Sequence, residues 1–158
     1  MLAEEVIEPV EASEWISPVV ITQKADGRLR FCVDLRSVNQ NIVVDMIPLS
    51  NINELLTLVK NRKFFSKLDL RSAYHQIRLH EDSKPLTAFV TTEGTFQFKR
   101  LPFGLASAAR IFQRAMARVL EGVDDVIYFQ DDILVMGKTV TDHNEDGVEE
   151  VGRVWSYA

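Results

Sequence analysis

Three aspartates carry most of the chemistry this sequence can offer. Asp131 and Asp132 sit side by side in "YFQDDILVMG", Tyr128 to Gly137, where every other residue except Gln130 is apolar or small. Asp69 stands next to last in the run "KFFSKLDL", 62 positions before Asp131. Burying one unpaired charge costs several kcal/mol. Two like charges cost more, unless a cation binds or a tight turn lifts them out of the core. Aspartate is common in turns, so a solvated hairpin tip is one account of the pair. A metal site is the other. The chain has one cysteine, Cys32, and no histidine cluster, so three carboxylates favour a hard cation, Mg²⁺ or Mn²⁺, over zinc. Two such ions about 3.5–4 Å apart form the clamp that drives in-line phosphoryl transfer.

The pattern around these aspartates predicts the elements that position them. "SPVVITQKADGRLRFCVDL" has two β-branched runs flanking Asp26-Gly27, a hairpin signal. In "LSNINELLTLVKN" the apolar residues Ile52, Leu55, Leu56 and Val59 recur at helical spacing, with Ser50 or Asn51 as cap and Asn51 with Glu54 as a capping-box-like pair. "KFFSKLDL" reads as a strand ending at Asp69, and "AFVTTEGTFQFKRL" as a hairpin turning at Glu93-Gly94. "SAARIFQRAMARVLEG" reads as a helix. Its apolar stripe is Ile111, Phe112, Ala115, Met116, Val119 and Leu120, opposite Arg110, Arg114 and Arg118, with Ser107 as cap and Gly122 as terminator. "DVIYF" and "ILVM" follow as two strands with Gln130-Asp131-Asp132 between them. The order predicts an α+β fold, an antiparallel sheet backed by helices. Neighbouring strands of one sheet would bring Asp69 to Asp131 and Asp132.

A chain of 158 residues suits one domain, and 46% hydrophobic with 26% charged residues suits a packed core. The lone cysteine excludes a disulfide framework. No apolar run approaches the roughly 18–20 residues that cross a bilayer, so no membrane partner is expected. "MLAEEVIEPVEASEW" lacks the basic and apolar regions of a signal peptide, which predicts an intracellular setting, cytoplasmic or nuclear. The net charge of −5 is unevenly spread. Residues 1–14 carry five acids and no base, and residues 142–158 five acids against Arg153. The middle, 15–141, holds 17 of the 18 Lys and Arg and 13 of the 23 acids, a net of +4, compatible with a phosphate-rich partner.

Four stretches, "SEWISPVVITQKADGRLRFCVDLRSVNQ", "FFSKLDLRSAYHQIRL", "TAFVTTEGTFQFKRLPFGLASAARIFQRAM" and "YFQDDILVMG", resemble in order and spacing the reverse transcriptase of gypsy-type long-terminal-repeat retrotransposons. The resemblance covers about residues 13–143. It implies a fingers and palm fold without a thumb. The fingers would span about 15–44 and 77–106 and the palm about 45–76 and 107–141, between an acidic segment 1–14 and a divergent acidic tail 142–158. It implies an RNA-directed DNA polymerase that uses two Mg²⁺ or Mn²⁺ ions, deoxynucleoside triphosphates, and an RNA or DNA template with primer. Asp69 and Asp131 match the metal-binding aspartates, Asp132 their supporting neighbour, and the backbone of Leu70 a further ligand. Tyr74 matches the steric gate whose ring excludes a ribose 2′-hydroxyl. Ser72 and Ala73 match residues whose backbone approaches the triphosphate. Arg30 and Lys24 match bases of the fingers hairpin that close over it. Leu70, Arg71, Phe103, Gly104 and Gln130 complete the implied nucleotide site. His75 and Gln76 match the pattern with packing roles, and Cys32 reads as a small buried hydrophobe.

Two departures qualify the resemblance. The family places Tyr before the variable residue and the two aspartates; here Phe129 stands there and Tyr128 one place earlier. The lost hydroxyl removes at most one hydrogen bond, about 0.5–1.5 kcal/mol. Tyr128 cannot replace it, because strand neighbours face opposite ways. The family also continues into further palm strands, a thumb and usually ribonuclease H and integrase, whereas this chain closes on "NEDGVEEVGRVWSYA". There Val148, Val151 and Trp155 keep a partial helical stripe that Gly147 and Gly152 weaken. The expectation is an incomplete piece of a retroelement polyprotein with little activity alone. The alternative is a non-catalytic remnant that binds nucleic acid or protein.

Overall fold

Gly27, at φ +83°, takes the left-handed conformation that a turn between two β-branched runs requires. The strands it separates, β2 (Val19–Gln23) and β3 (Leu29–Val33), pair antiparallel as the sequence predicts, with Thr22 opposite Arg30. The structure is a computed structural model and describes residues 1–23, 27, 29–43, 57 and 59–156. The helix predicted around Ile52, Leu55 and Leu56, with its caps, and Lys24 lie outside the described residues.

The chain divides into two compact units. The first comprises residues 1–45 and 72–108, the second 46–71 and 109–158. In the first, β1 (Ile7–Pro9), β6 (Gly94–Phe98) and β5 (Phe89–Thr91) form an antiparallel sheet in the order β1-β6-β5. Apolar residues at alternate positions put Phe96 and Phe98 on its inner face with Phe89 and Val6. Phe89 lies 5.4 Å, ring to ring, from Phe98 and edge-on 5.4 Å from Phe31 of the β2–β3 hairpin. The β5–β6 turn is Thr92-Glu93, one position earlier than predicted: Gly94 already pairs with Thr91, whose hydroxyl accepts the Glu93 N–H at 3.1 Å. A short helix, α1 (Arg36–Asn39), follows β3.

The acidic N-terminal segment is built into this unit. Ile7 and Glu8 pair with Phe98 and Gln97. The Glu8 carboxylate accepts from Gln97 Nε2 at 2.9 Å and lies 3.2 Å from Lys84 Nζ, while Glu5 pairs with Lys99 at 3.4 Å. Its charge therefore balances bases of the same unit.

In the second unit, β4 (Phe64–Asp69), β8 (Asp132–Gly137) and β7 (Val126–Phe129) form an antiparallel sheet with β8 central. Ile133 and Val135 are fully buried on one face. The long helix α2 (Ala108–Val119) forms where its stripe predicts, burying Phe112 and Met116, with Leu120 buried just beyond it. After β8 a π-helix, Asp142–Glu149, leads into α3 (Glu150–Ser156). Gly137 and Gly147 permit its close approach to β8. A Cβ on Gly137 would lie 2.6 Å from His143 Cβ, and one on Gly147 would collide with Val135 Cγ1. Gly147, which the sequence presents as a weak point of a helix, is a packing requirement. The α+β class holds, with antiparallel sheets and helices; among the described residues the strands form three antiparallel sheets, one of them the β2–β3 hairpin. No helix among the described residues is long and apolar enough to cross a membrane.

Candidate active site

Asp69 ends β4 and Asp132 begins β8, and the register sets them directly opposite each other. Residues paired this way project to the same face of a sheet. Asp132 thus belongs to the strand, and the predicted three-residue connection shortens to Gln130-Asp131, with Gln130 at φ +56°. Phe129 pairs across the turn with Asp132, and the Asp131 carbonyl accepts the Leu70 N–H at 3.2 Å. One end of a three-stranded sheet therefore collects Asp69, Leu70, Gln130, Asp131 and Asp132, with Arg71 next in the chain.

The strand alternation decides which neighbours share the carboxylate face. Phe65, Lys67 and Asp69 alternate along β4, so Lys67 projects beside Asp69. Its ammonium lies 2.9 Å from Asp132 Oδ2. The bond and charge of Asp132, with smaller contributions from Asp69 and Asp131, push Lys67 above the ordinary lysine range. On β7, Phe129 faces with Asp132, while Tyr128 pairs with Ile133 on the burying face, where burial pushes its phenol up. Tyr128 cannot substitute for a hydroxyl at position 129.

Asp69, Asp131 and Asp132 are all exposed, so no burial cost demands a counter-ion. The run reads as a buried strand only because its apolar residues include the opposite face. Among the described residues, no three His, Cys, Asp or Glu side chains are grouped closely enough to hold a metal ion. The backbone and donor chemistry suit a hard cation, since the register fixes two carboxylates on one face with a third at the turn. The side chains themselves do not enclose an ion, and Asp132 is engaged by Lys67.

The first unit holds most of the other predicted residues. Ser72 adopts the left-handed conformation, φ 54° and ψ 41°, and starts a single 3-10 turn, Ala73–Gln76. That turn buries Ala73 and sets the Tyr74 ring 4.8 Å from Phe103. A cleft of about 710 Å³ is lined by Arg30, Ser72, His75, Phe103 and Gly104, with Cys32 on its wall. Cys32, read from the sequence as a small buried hydrophobe, is half-buried there. His75 packs edge-on to Phe103 at 5.2 Å, and half-burial pushes its ring below the ordinary histidine value. Asn39 fastens the Phe103 loop: its Nδ2 donates to the Gly104 carbonyl and its Oδ1 accepts the Ala106 N–H, each at 2.8 Å. Sequence reasoning missed Asn39, for which no local signal exists, and Lys67, which strand alternation could have placed beside Asp69.

The fold matches solved structures closely. The foamy viral protease-reverse transcriptase in complex with double-stranded DNA superposes with a TM-score of 0.90 at 24% identity, covering 99% of this chain and 27% of that one. The same viral protein with an RNA/DNA hybrid gives a TM-score of 0.89 at 24% identity, covering 99% of this chain and 21% of that one. The family model for reverse transcriptase (RNA-dependent DNA polymerase) matches residues 22–154, and the chain belongs to that family. It is 34% identical over 145 residues to the retrovirus-related Pol polyprotein from transposon 412 of Drosophila melanogaster, covering 87% of this chain and 12% of that protein. It is 38% identical over 136 residues to an enzymatic polyprotein of figwort mosaic virus, covering 83% and 20%. Against the gypsy Pol polyprotein of Drosophila melanogaster the identity is 34% over 151 residues, covering 90% and 14%. The chain thus spans between about an eighth and a fifth of the length of these curated relatives.

Proposed function

We propose that this chain carries the nucleotidyl-transfer site of a retroelement RNA-directed DNA polymerase, with fingers over about 15–44 and 77–106 and palm over about 45–76 and 107–141. The observation that carries the reading is the β4–β8 register, with Asp69 opposite Asp132 and Asp131 at the adjoining turn, in a chain of this family. Asp69 and Asp131 would hold two Mg²⁺ or Mn²⁺ ions, with the Leu70 carbonyl as a further ligand and Asp132 in support. Such a pair, when bound, activates the primer 3′-hydroxyl and neutralises charge on the reacting phosphorus and leaving pyrophosphate.

The chain's own residues bind and orient the nucleotide. Arg30 and Lys24 of the fingers hairpin pair with the triphosphate, where a guanidinium offers a planar two-point contact. Ser72 and Ala73 present backbone to it, while Arg71 and Gln130 flank the carboxylates. Phe103 and Gly104 support the base. The Tyr74 ring, braced on Phe103, fills the space a ribose 2′-hydroxyl would need and so selects deoxynucleotides. The template is RNA or DNA paired with a primer.

Incorporation of one deoxynucleotide into a primer on an RNA template, with Mg²⁺ or Mn²⁺, tests the reading. Asp131→Asn abolishes incorporation, and Tyr74→Ala admits ribonucleotides. Incorporation that persists in Asp131→Asn would refute the assignment. A polyprotein that joins this chain to a thumb, binds the primer–template and never extends it, with any metal, would favour the non-catalytic alternative.

A further inference from the structure

We infer that Lys67 is a positioning residue that competes with divalent cations for Asp132 and so sets the metal affinity of the carboxylate cluster. The inference rests on the proposed metal-binding role of Asp69 and Asp131. Lys67 stands two residues before Asp69 on the same face of β4, and Asp132 stands opposite Asp69. The Lys67 Nζ is 2.9 Å from Asp132 Oδ2, and Asp69 and Asp131 act on the same ammonium at longer range. One mobile cation therefore answers three carboxylates.

The pair is built to exchange. Its side chains are 65% and 50% exposed, so water reaches both partners and the bond is weak. An ammonium on a flexible four-carbon stem can swing away without disturbing the strand. A divalent cation bound at Asp69 and Asp131 would repel it and compete with it for Asp132. Lys67 thus occupies Asp132 until a cation displaces it. Removing its charge abolishes both the competition and the repulsion, so metal binding should tighten by about two- to fivefold at low ionic strength and by less in high salt.

Calorimetric titration of the chain with Mn²⁺ at fixed ionic strength tests this, using the parent, Lys67→Gln, Lys67→Arg and Asp69→Asn, each checked for folding by circular dichroism. The expected result is about two- to fivefold tighter binding by Lys67→Gln, parent-like binding by Lys67→Arg, and weakened binding by Asp69→Asn. The salt dependence separates a charge effect from a merely structural one. If Asp69→Asn loses binding while Lys67→Gln binds no more tightly than the parent, the role of Lys67 is wrong and the metal site stands. If the parent does not bind Mn²⁺, or Asp69→Asn binds as the parent does, the metal site is wrong and this inference falls with it.

Discussion

Gly137→Ala adds a single methyl group at the far end of β8 from Asp132. That methyl carbon would lie 2.6 Å from His143 Cβ, 2.7 Å from His143 N and 2.8 Å from His143 Cα. All three atoms are backbone or fixed to it, so no rotamer change relieves the clash. Either the start of the π-helix moves or β8 does. β8 is the central strand, and Gly137 is tied on its other side by the Lys63 N–H to its carbonyl at 2.9 Å. Overpacking costs about 1–3 kcal/mol, and a backbone clash belongs at the upper end. At about 2–4 °C per kcal/mol for a chain of this size, 3 kcal/mol lowers the melting temperature by roughly 6–12 °C. Replacing His143 by Gly as well removes only the Cβ contact and should recover only part of the loss. Thermal melts of the parent, single and double variants decide the matter. A Gly137→Ala protein melting within about 1 °C of the parent would refute the close approach of the π-helix to β8.

Two further outcomes follow from the first unit. Asn39→Ala removes both bonds that fasten the Phe103 loop, costing about 1–2 kcal/mol and weakening the affinity for a deoxynucleoside triphosphate; unchanged melting and affinity would show the loop is held otherwise. The Gln97 hydrogen bond, followed by Lys84 and Lys99, holds the Glu8 carboxyl below its ordinary value. Its stabilisation is therefore present above about pH 4.3 and lost as pH falls through the lower folded value. Acid melts of Glu8→Gln should lack that loss, and a parent-like acid profile in the variant would remove Glu8 from the account.

Local signals reached much of this structure. Asp26-Gly27 between β-branched runs announced the first hairpin, and the Phe112-Met116-Leu120 stripe announced the long helix, because both depend on residues close in the chain. The aspartate pair was legible as a strand–turn–strand feature, but its turn was read one residue too long. The Phe129–Asp132 pairing comes from the register of β7 on β8, which the run of apolar letters does not reveal. Burial was misread for the same reason, since Ile133 and Val135 face the core while Asp132 faces outward. Contacts that join distant positions were invisible. Glu8 meets Gln97 across 89 positions, and Asn39 meets Gly104 across 65. The need for Gly137 and Gly147 arises from the space left by His143 and Val135, which no composition or spacing encodes.

The proposed role of Asp69 and Asp131, with Asp132 in support, is to hold a pair of divalent cations at the β4–β8 sheet end. Anomalous scattering from crystals of the chain soaked in Mn²⁺ with a deoxynucleoside triphosphate would locate them. Two peaks about 3.5–4 Å apart are expected against Asp69 and Asp131, with the Lys67 ammonium withdrawn from Asp132. No peak there, or manganese bound only at other carboxylates such as Asp124 and Asp142, would contradict it.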